Sequence, residues 1–392
     1  MQNVSWCPKR ACRLAVLLLL LGLVACAAPP TNPAARLTLA DALGRPSTVG
    51  FEQALAPRPF IFPDDHGAHP SFAAEWWYYT GNLATADGRR FGFQLTFFRF
   101  GLAPQPVQRP SDWSASSIYM AHFALSDIDA GTFYAFERFS RGAAGLAGAE
   151  SRPFQVWLDD WRADGQGPLG TPIRLRAAQG DIALDLILQA GKPIVLQGDQ
   201  GLSQKSAAAG NASYYYSMTR MPAQGNLQTP AGSFAVSGLA WMDREWSTTA
   251  LGQQQLGWDW FALQLDSGDD LMYYRLRMRD GSDDPYSKGI LVAPDGSTTL
   301  IGRDSLQLDI TNTWMSPSGT VYPAGWRIRL PTAAIDLTVT PLIPNQELPL
   351  TVTYWEGAVQ IVGSIGGKPV AGSGYVELTG YIDDGVDERL SR

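Results

Sequence analysis

Residues 91–100 read FGFQLTFFRF, a run rich in Phe with one charged residue and no Pro. Aromatic residues and Thr are enriched in β-strands, so this run predicts a strand. Similar short segments, many of them alternating in polarity, occur at residues 182–188, 234–241, 258–265, 271–278, 326–330 and 335–340. Gly-containing turn signals separate such segments, as at 86–88, 266–268, 279–281, 294–296 and 316–319. With 40 Gly, 27 Pro and no long amphipathic helix pattern, the chain is predicted to be all-β.

So many strands leave edges that must be paired, and closure into barrels pairs them. The chain beyond residue 60 is long for one hydrophobic core, so we expect two tandem antiparallel β-barrels. A barrel of about eight strands has room for one small ligand. We place the N-terminal domain at 61–250 and the C-terminal domain at 251–392, with the boundary inside the glutamine-rich stretch 248–256.

The first residues have the pattern of a secretion signal. Lys9, Arg10 and Arg13 precede an apolar run at 14–24, which is short for a membrane span. The sequence Leu-Val-Ala-Cys then ends at Cys26. This order is typical of a bacterial lipoprotein, in which the signal peptide is cut before a Cys that carries the lipid.

We therefore assign residues 1–25 to the signal peptide and 26–60 to a tether rich in Pro and Ala. Ala27, in place of Asp, predicts delivery to the outer membrane, with the protein facing the periplasm. An ordinary secretion signal with an incidental Cys is the alternative.

Loss of residues 1–25 removes three basic residues and no acidic one, which changes the formal net charge from −7 to −10. A nucleic acid is therefore not an expected partner.

Two segments place carboxylates among aromatic side chains. One runs from Glu75 to Tyr79 (EWWYY), and the other covers residues 241–260 (WMDREWSTTALGQQQLGWDW). Burying an unpaired carboxylate is costly, so both segments predict an aromatic cavity with acidic groups. The candidate catalytic residues are Asp243, Glu245, Glu75 and His122. The candidate ligand-binding residues are Trp76, Trp77, Tyr79, Tyr216, Trp241, Trp246, Trp258 and Trp260.

Three functions fit such a cavity. The first is a carrier for an apolar, isoprenoid-like or lipid-like ligand. The second is a cofactor-free hydratase, hydrolase or cyclase, in which a neutral carboxylic acid protonates the substrate and ring faces stabilise a cation. The third is a carbohydrate-active protein, since Trp platforms with two carboxylates also describe sugar sites.

No metal or cofactor is predicted. Asp64, Asp65, His66 and His69 could be drawn as a metal site, but they lie in a loop beside Pro70 with no regular ligand spacing. We expect this loop to cap a barrel mouth.

Several motifs resemble those of one family closely. They are FPDDHGAHPSFAAEWWYYTGNL from residue 62, FGFQLTFFR from 91, YYSMTR from 215, VSGLAWMDREWS from 236 and GWDWFALQL from 257. From about residue 60 onward, the chain resembles the lipocalin-like carotenoid hydratase and AttH family. The resemblance implies two lipocalin-like barrels, and hydratase members add water to an isolated alkene. It also implies a bacterial lipoprotein associated with an ABC transporter.

One position departs from the hydratase pattern. Arg244 stands between Asp243 and Glu245, where the resemblance implies His. An Arg cannot donate a proton near neutral pH, and we expect it to pair with one of the two carboxylates and keep it ionised. An alternative is a structural plug, in which Trp241 and Trp246 pack across the end of a barrel with Arg244 stacked on them.

Overall fold

The computed structural model describes residues 37–38, 49–104, 111, 113–249, 251–252 and 254–382. The predicted signal peptide, Cys26 and most of the tether lie outside these residues. The described helices are short 3-10 turns, at Asp64–His66, Arg303–Ser305 and Pro331–Ala333. Within the described ranges, no helix combines the length and the apolar character that crossing a membrane requires.

The strands form two sheets that follow each other along the chain. The short strand β1 (Leu37–Thr38) joins the second sheet by a parallel pairing, and the other pairings are antiparallel. The first sheet contains β2 (Ala74–Ala84), β3 (Arg90–Gly101), β4 (Ser117–Asp127), β5 (Thr132–Arg141), β6 (Ala147–Ser151), β7 (Phe154–Leu158), β8 (Trp161–Gly165), β9 (Ile173–Gln179), β10 (Ile182–Leu188), β11 (Val195–Leu196), β12 (Leu202–Gln204), β13 (Ala212–Thr229) and β14 (Gly232–Ser247). The second contains β15 (Gln255–Leu265), β16 (Asp270–Met278), β17 (Lys288–Val292), β18 (Thr298–Gly302), β19 (Gln307–Met315), β20 (Val321–Leu330), β21 (Ile335–Pro341), β22 (Glu347–Pro349), β23 (Val352–Ile365) and β24 (Lys368–Leu378).

Each sheet curls around a hydrophobic core of its own. The first has the order β5-β4-β3-β2-β14-β13-β10-β9-β8-β7-β6, and β7 packs against β3, β4 and β5. Trp77, Phe97 and Trp161 lie in its core. The second has the order β18-β17-β16-β15-β24-β23-β21-β20-β19, with Trp326 and Trp355 in its core. The predicted fold class, an all-β chain with two tandem lipocalin-like barrels, is confirmed.

The strands β2 and β3 are buried on both faces. Successive side chains of a strand point to opposite sides of the sheet. Trp77 and Tyr79 therefore lie in the core of the first sheet, whereas Trp76 and Tyr78 face the second sheet. Double burial explains why FGFQLTFFRF contains so few polar residues, because neither of its faces meets water.

A buried carboxylate joins the two sheets. Asp270 on β16 of the second sheet is fully buried and accepts hydrogen bonds from Thr219 (2.8 Å) and Arg220 (2.6 and 2.9 Å) on β13 of the first. The ammonium group of Lys192, in the loop after β10, lies 2.9 Å from Asp270 Oδ2. Removing one partner of a buried ion pair leaves an uncompensated charge, so this clamp is predicted to matter for stability.

The substitution Asp270→Asn is expected to lower the free energy of unfolding by about 3 kcal/mol, because Arg220 and Lys192 lose their counter-charge inside the protein. Urea denaturation measures the change. Asp336→Asn is the control: Asp336 also accepts two hydrogen bonds from one guanidinium, that of Arg327 (2.9 and 2.7 Å), but the pair is exposed. Equal effects of the two substitutions would contradict a clamp between the sheets.

Candidate functional site

A cavity of about 700 Å³, counted with the solvent at its mouth, lies between the two sheets. We call it the junction cavity. It is lined by Trp76, Tyr78, Gln94, Phe98, Lys205, Tyr215, Asp243, Glu245, Leu251, Trp258, Trp260, Tyr274, Leu276, Tyr354, Glu356 and Glu377.

Strand alternation decides which side chains reach the junction cavity. Asp243 and Glu245 on β14 face the second sheet, while Arg244 between them points into the first sheet's core. The same rule selects Trp76 over Trp77 on β2. Strands β15, β16, β23 and β24 supply the opposite wall.

Aromatic rings form much of the cavity wall. The rings of Tyr78 and Trp260 meet edge to face with centroids 5.1 Å apart, and Trp241 packs behind Trp260 at 6.2 Å. The indole N–H of Trp260 donates to the hydroxyl of Tyr215 (3.1 Å). Because these contacts tie rings of one sheet to rings of the other, the wall is held in place from both sides.

Asp243 lies at the centre of a network of neutral donors. Its Oδ1 accepts hydrogen bonds from Ser217 Oγ (2.5 Å) and Trp241 Nε1 (2.7 Å), and its Oδ2 accepts one from Tyr215 Oη (2.6 Å). Burial raises the pKa of Asp243 to about 7 despite these three bonds, which lower it, and the charge of Glu245 adds to the rise. Asp243 can therefore hold a proton near neutral pH.

A second pair of acids faces Asp243 from the other sheet. Glu356 on β23 and Glu377 on β24 are directly opposite each other in the strand pairing. Glu356 accepts a hydrogen bond from Tyr78 Oη (2.5 Å). Burial and the neighbouring charge of Glu377 raise the pKa of Glu356 well above its ordinary value, and burial raises the pKa of Glu377 to about 8. Glu356 Oε2 and Glu377 Oε1 are buried with no hydrogen-bond partner.

Lys205 is the one cationic side chain among the described residues that line the cavity. Its ammonium group lies 3.2 Å from Glu245 Oε1 and 4.2 Å from the ring centroid of Tyr274. Burial lowers the pKa of Lys205, but Glu245 and Tyr274 together outweigh this effect through their charges and hydrogen bonds, and the net pKa is raised. Lys205 therefore neutralises Glu245, and no cationic side chain of the described residues pairs with the other three carboxyl groups.

The expected pairing of Arg244 with Asp243 or Glu245 is wrong, because strand alternation puts Arg244 on the other face of β14. The guanidinium donates instead to Glu75, which is also bound by Arg99. Burial raises the pKa of Glu75, but the charges of Arg99 and Arg244 outweigh burial and hold the pKa well below its ordinary range. Glu75 is an ionised structural group remote from the junction cavity.

Around Arg244 the arrangement has the form of a plug. The guanidinium lies 3.9 Å from the ring centroid of Trp77 and 5.0 Å from that of Trp246, and His69 stacks on Trp246 at 3.8 Å. The segment 241–246 therefore contributes to both structures that its sequence allows. Arg244 and Trp246 belong to the plug. Trp241, which the predicted plug also included, lies instead on the cavity side with Asp243 and Glu245.

Some of the predicted site residues lie at the junction cavity, and others pack in the core of the first sheet. The structure places Trp76, Asp243, Glu245, Trp258 and Trp260 at the junction cavity. Trp241 lies one layer behind and orients Asp243. Four predicted ligand-binding rings pack in the first core instead: Trp77, Tyr79, Tyr216 and Trp246. His122 lies behind the cavity wall, where its Nδ1 contacts Tyr354 Oη (2.8 Å).

Sequence reasoning missed most of the second sheet's contribution. Glu356 and Glu377 were not among the candidate acids, although Glu356 stands in the aromatic segment Tyr354-Trp355-Glu356. Each is the one acidic residue of its strand and has apolar or small residues on both sides of it. An acid at such a position is the signal that could have identified both, because it has to be protonated or paired when buried.

The loop at 64–69 does not gather metal ligands. Asp65 accepts a hydrogen bond from Arg58 and contacts His69 Nε2 (3.0 Å), while His66 Nδ1 meets Tyr216 Oη (2.5 Å). Among the residues that the structure describes, no three His, Cys, Asp or Glu side chains form a cluster that could hold a metal ion.

The chain is similar to one protein family and to two solved structures. A family model described as AttH-like matches residues 53–381. The crystal structure of a candidate AttH from Nitrosomonas europaea superposes with a TM-score of 0.72, at 36% identity, over 84% of this chain and 100% of that one. Kievitone hydratase from Nectria haematococca superposes with a TM-score of 0.64 over 88% of this chain and 99% of that one. The superposition shows a shared fold, and the sequence identity is 15%. No curated protein matches the chain.

Replacing Asp243 by Asn is expected to change how stability depends on pH. In the wild type, the folded state keeps the Asp243 proton up to about pH 7, whereas the unfolded state releases it near pH 4. This term is fully present below pH 4 and is lost as the pH rises to 7, at about 1.4 kcal/mol per unit. The stability of Asp243→Asn relative to wild type should therefore rise by about 2 kcal/mol between pH 5 and 7 in urea titrations.

Asp185→Asn is the control for this series, because the Arg174 hydrogen bond lowers the pKa of Asp185 and its contribution is lost as the pH falls. A constant difference between Asp243→Asn and wild type over this range would show that Asp243 is ionised in the folded protein.

Proposed function

Because the chain belongs to the AttH-like family, we propose that the junction cavity is the active site of a cofactor-free enzyme that adds water to a carbon–carbon double bond of an apolar, isoprenoid-like molecule. The observation that carries the proposal is a set of three buried carboxyl groups beside aromatic walls, those of Asp243, Glu356 and Glu377, for which the described part of the chain supplies no cation. The fold shared with a kievitone hydratase supports it.

Hydration of an isolated alkene begins with a proton placed on carbon. A carboxylic acid held neutral in an apolar site can supply that proton. In this step the acid O–H bond breaks, the π electrons form the new C–H bond, and positive charge develops on the other carbon. Water then forms the C–O bond and loses a proton. The cavity contains both the acids and the rings that such a sequence requires.

Glu377 is the best placed proton donor. Its pKa of about 8 keeps it protonated at neutral pH, and its Oε1 has no hydrogen-bond partner. Both oxygens of Asp243, in contrast, are occupied by Ser217, Trp241 and Tyr215. Glu377 therefore acts as the acid, with the protonated Glu356 opposite it on the paired strand, while Asp243 adds negative charge when it is ionised.

The rings stabilise the developing cation. An aromatic face attracts a cation by about 0.5–2 kcal/mol, and more as water is excluded. Trp76, Trp258 and Trp260 line the cavity near the acids. Because walls from both sheets enclose the site, it fits a compact apolar molecule better than a sugar polymer, which needs an open groove. A carrier for the same class of ligand would use the same walls without turnover.

The N-terminal segment suggests where this chemistry takes place. The basic residues and apolar run before Cys26 support a lipoprotein signal. The proposal therefore includes a lipid anchor at Cys26, with the body of the protein in the periplasm beside the outer membrane. An ABC transporter as partner is proposed from the family resemblance alone.

The substitution Glu377→Gln is expected to lower alkene hydration by about a hundredfold or more, because the amide cannot donate a proton to carbon. Ligand binding should survive, since the shape of the side chain is kept. Mass spectrometry after incubation with isoprenoid alkenes in H₂¹⁸O measures hydration, and quenching of Trp fluorescence measures binding.

Glu347→Gln is the control for this experiment. Glu347 is also a buried acid of the second sheet, but it is bound by Ser316, Ser318 and Tyr322 away from the cavity. Full turnover by Glu377→Gln would remove it from the role of acid. Binding without turnover in the wild type would make the protein a carrier.

For the anchor, Cys26→Ser in the full chain is expected to move the protein from the membrane fraction to the soluble periplasmic fraction, because Ser cannot carry the thioether-linked lipid. Cell fractionation and intact mass give the result. The substitution Cys12→Ser, inside the predicted signal, is the matched control and should leave the lipid in place. A wild-type chain without lipid would point to the ordinary secretion signal.

A further inference from the structure

A row of three polar side chains crosses the wall of the first sheet beside the junction cavity. It consists of Tyr354, His122 and Glu137, and we call it the file. His122 on β4 and Glu137 on β5 are directly opposite each other in the strand pairing, and His122 Nε2 lies 3.6 Å from Glu137 Oε2. On its other side, His122 Nδ1 lies 2.8 Å from Tyr354 Oη. Tyr354 lines the cavity, while the Glu137 side chain is 11% exposed. The file therefore runs from the cavity to solvent.

The groups that face His122 indicate which of its ring nitrogens carries the proton. A carboxylate oxygen can only accept, so the proton of the His122 ring belongs on Nε2, facing Glu137. Nδ1 then accepts the hydroxyl proton of Tyr354, whose oxygen accepts from Gln94 Nε2 (2.8 Å). Every donor in the file points outward, from the cavity towards Glu137.

A buried polar atom without a hydrogen-bond partner is costly. His122 is fully buried, and among the described residues its Nε2 and the facing Glu137 Oε2 have no hydrogen-bond partner. The distance of 3.6 Å between these two atoms is longer than a hydrogen bond. Apo sites often contain such long contacts, which tighten when the reacting molecule is bound.

We infer that Tyr354, His122 and Glu137 form a proton path that removes the proton released when water adds to the substrate in the junction cavity. As the C–O bond forms, the water O–H bond breaks and its proton moves to Tyr354 Oη. The Tyr354 proton moves to His122 Nδ1, and the Nε2 proton moves to the Glu137 carboxylate, which releases it to solvent. One proton from solvent returns to Glu377, so each turnover takes up one proton from solvent and releases one.

The inference rests on the proposed function, but its test does not need a substrate. The chain contains three histidines, so ¹⁵N-histidine labelling gives a simple spectrum, assigned with His66→Gln and His69→Gln. We expect His122 to be neutral with its proton on Nε2. We expect Tyr354→Phe to shift the Nδ1 resonance because that nitrogen loses its donor. A proton on Nδ1 would reverse the direction of the file and overturn the inference.

Exchange of the Nε2 proton with solvent tests transport along the file. A buried ring proton without an outlet exchanges slowly, so rapid exchange through Glu137 should become about tenfold slower or more in Glu137→Gln. Glu150→Gln, an exposed acid on β6, is the control and should leave the rate unchanged. Equal rates in wild type and Glu137→Gln would show that no proton leaves by this route.

Kinetics separate this inference from the proposed function. Where wild type hydrates an alkene, Glu137→Gln should lower kcat about tenfold with KM unchanged and raise the solvent isotope effect, because proton removal becomes slower. Unchanged kcat would remove the path from the reaction. Where wild type hydrates no alkene, the proposed function fails, and the exchange experiment alone decides whether the path carries protons.

Discussion

The site depends on a wall of two paired strands, β2 and the second half of β14 (residues 240–247), that is buried on both faces. A strand side chain has two directions available, and here both directions lead into protein. One face completes the core of the first sheet and the other faces the second sheet. Residues adjacent in sequence, such as Asp243 and Arg244, therefore experience separate environments only one backbone thickness apart.

Because of this separation, the acids on the two faces differ in the number of cationic partners that they have. On the core side, Glu75 has two guanidinium partners and stays ionised. On the cavity side, Lys205 serves only Glu245, and a buried carboxylate without a cation is more stable with its proton. The same physical cost of burial thus gives opposite results on the two faces. A structural ion pair and a set of weak acids can coexist in one short segment because the backbone stands between them.

The sequence predicted the fold class well because strand and turn signals are local. It also identified the segment 241–260 with Asp243 and Glu245, because a cluster of carboxylates and tryptophans can be recognised without a structure. Strand alternation could have separated Trp76 from Trp77 and Asp243 from Arg244, but deciding which face meets the cavity requires the partner sheet. Glu356 and Glu377 come close to Asp243 only through pairings between strands distant in sequence, and no local pattern contains that information.

The junction cavity also has an order of assembly. Its first wall includes Trp76, and its last lining residue is Glu377 on β24, near the end of the chain. A chain made from its N-terminus has the other lining residues before it has this acid. Because β24 lies between β15 and β23, the second sheet is complete only when this strand is in place, so the opposite wall and Glu377 are added together. Truncation within β24 would remove the carboxyl group and also separate the two halves of the wall that faces the first sheet.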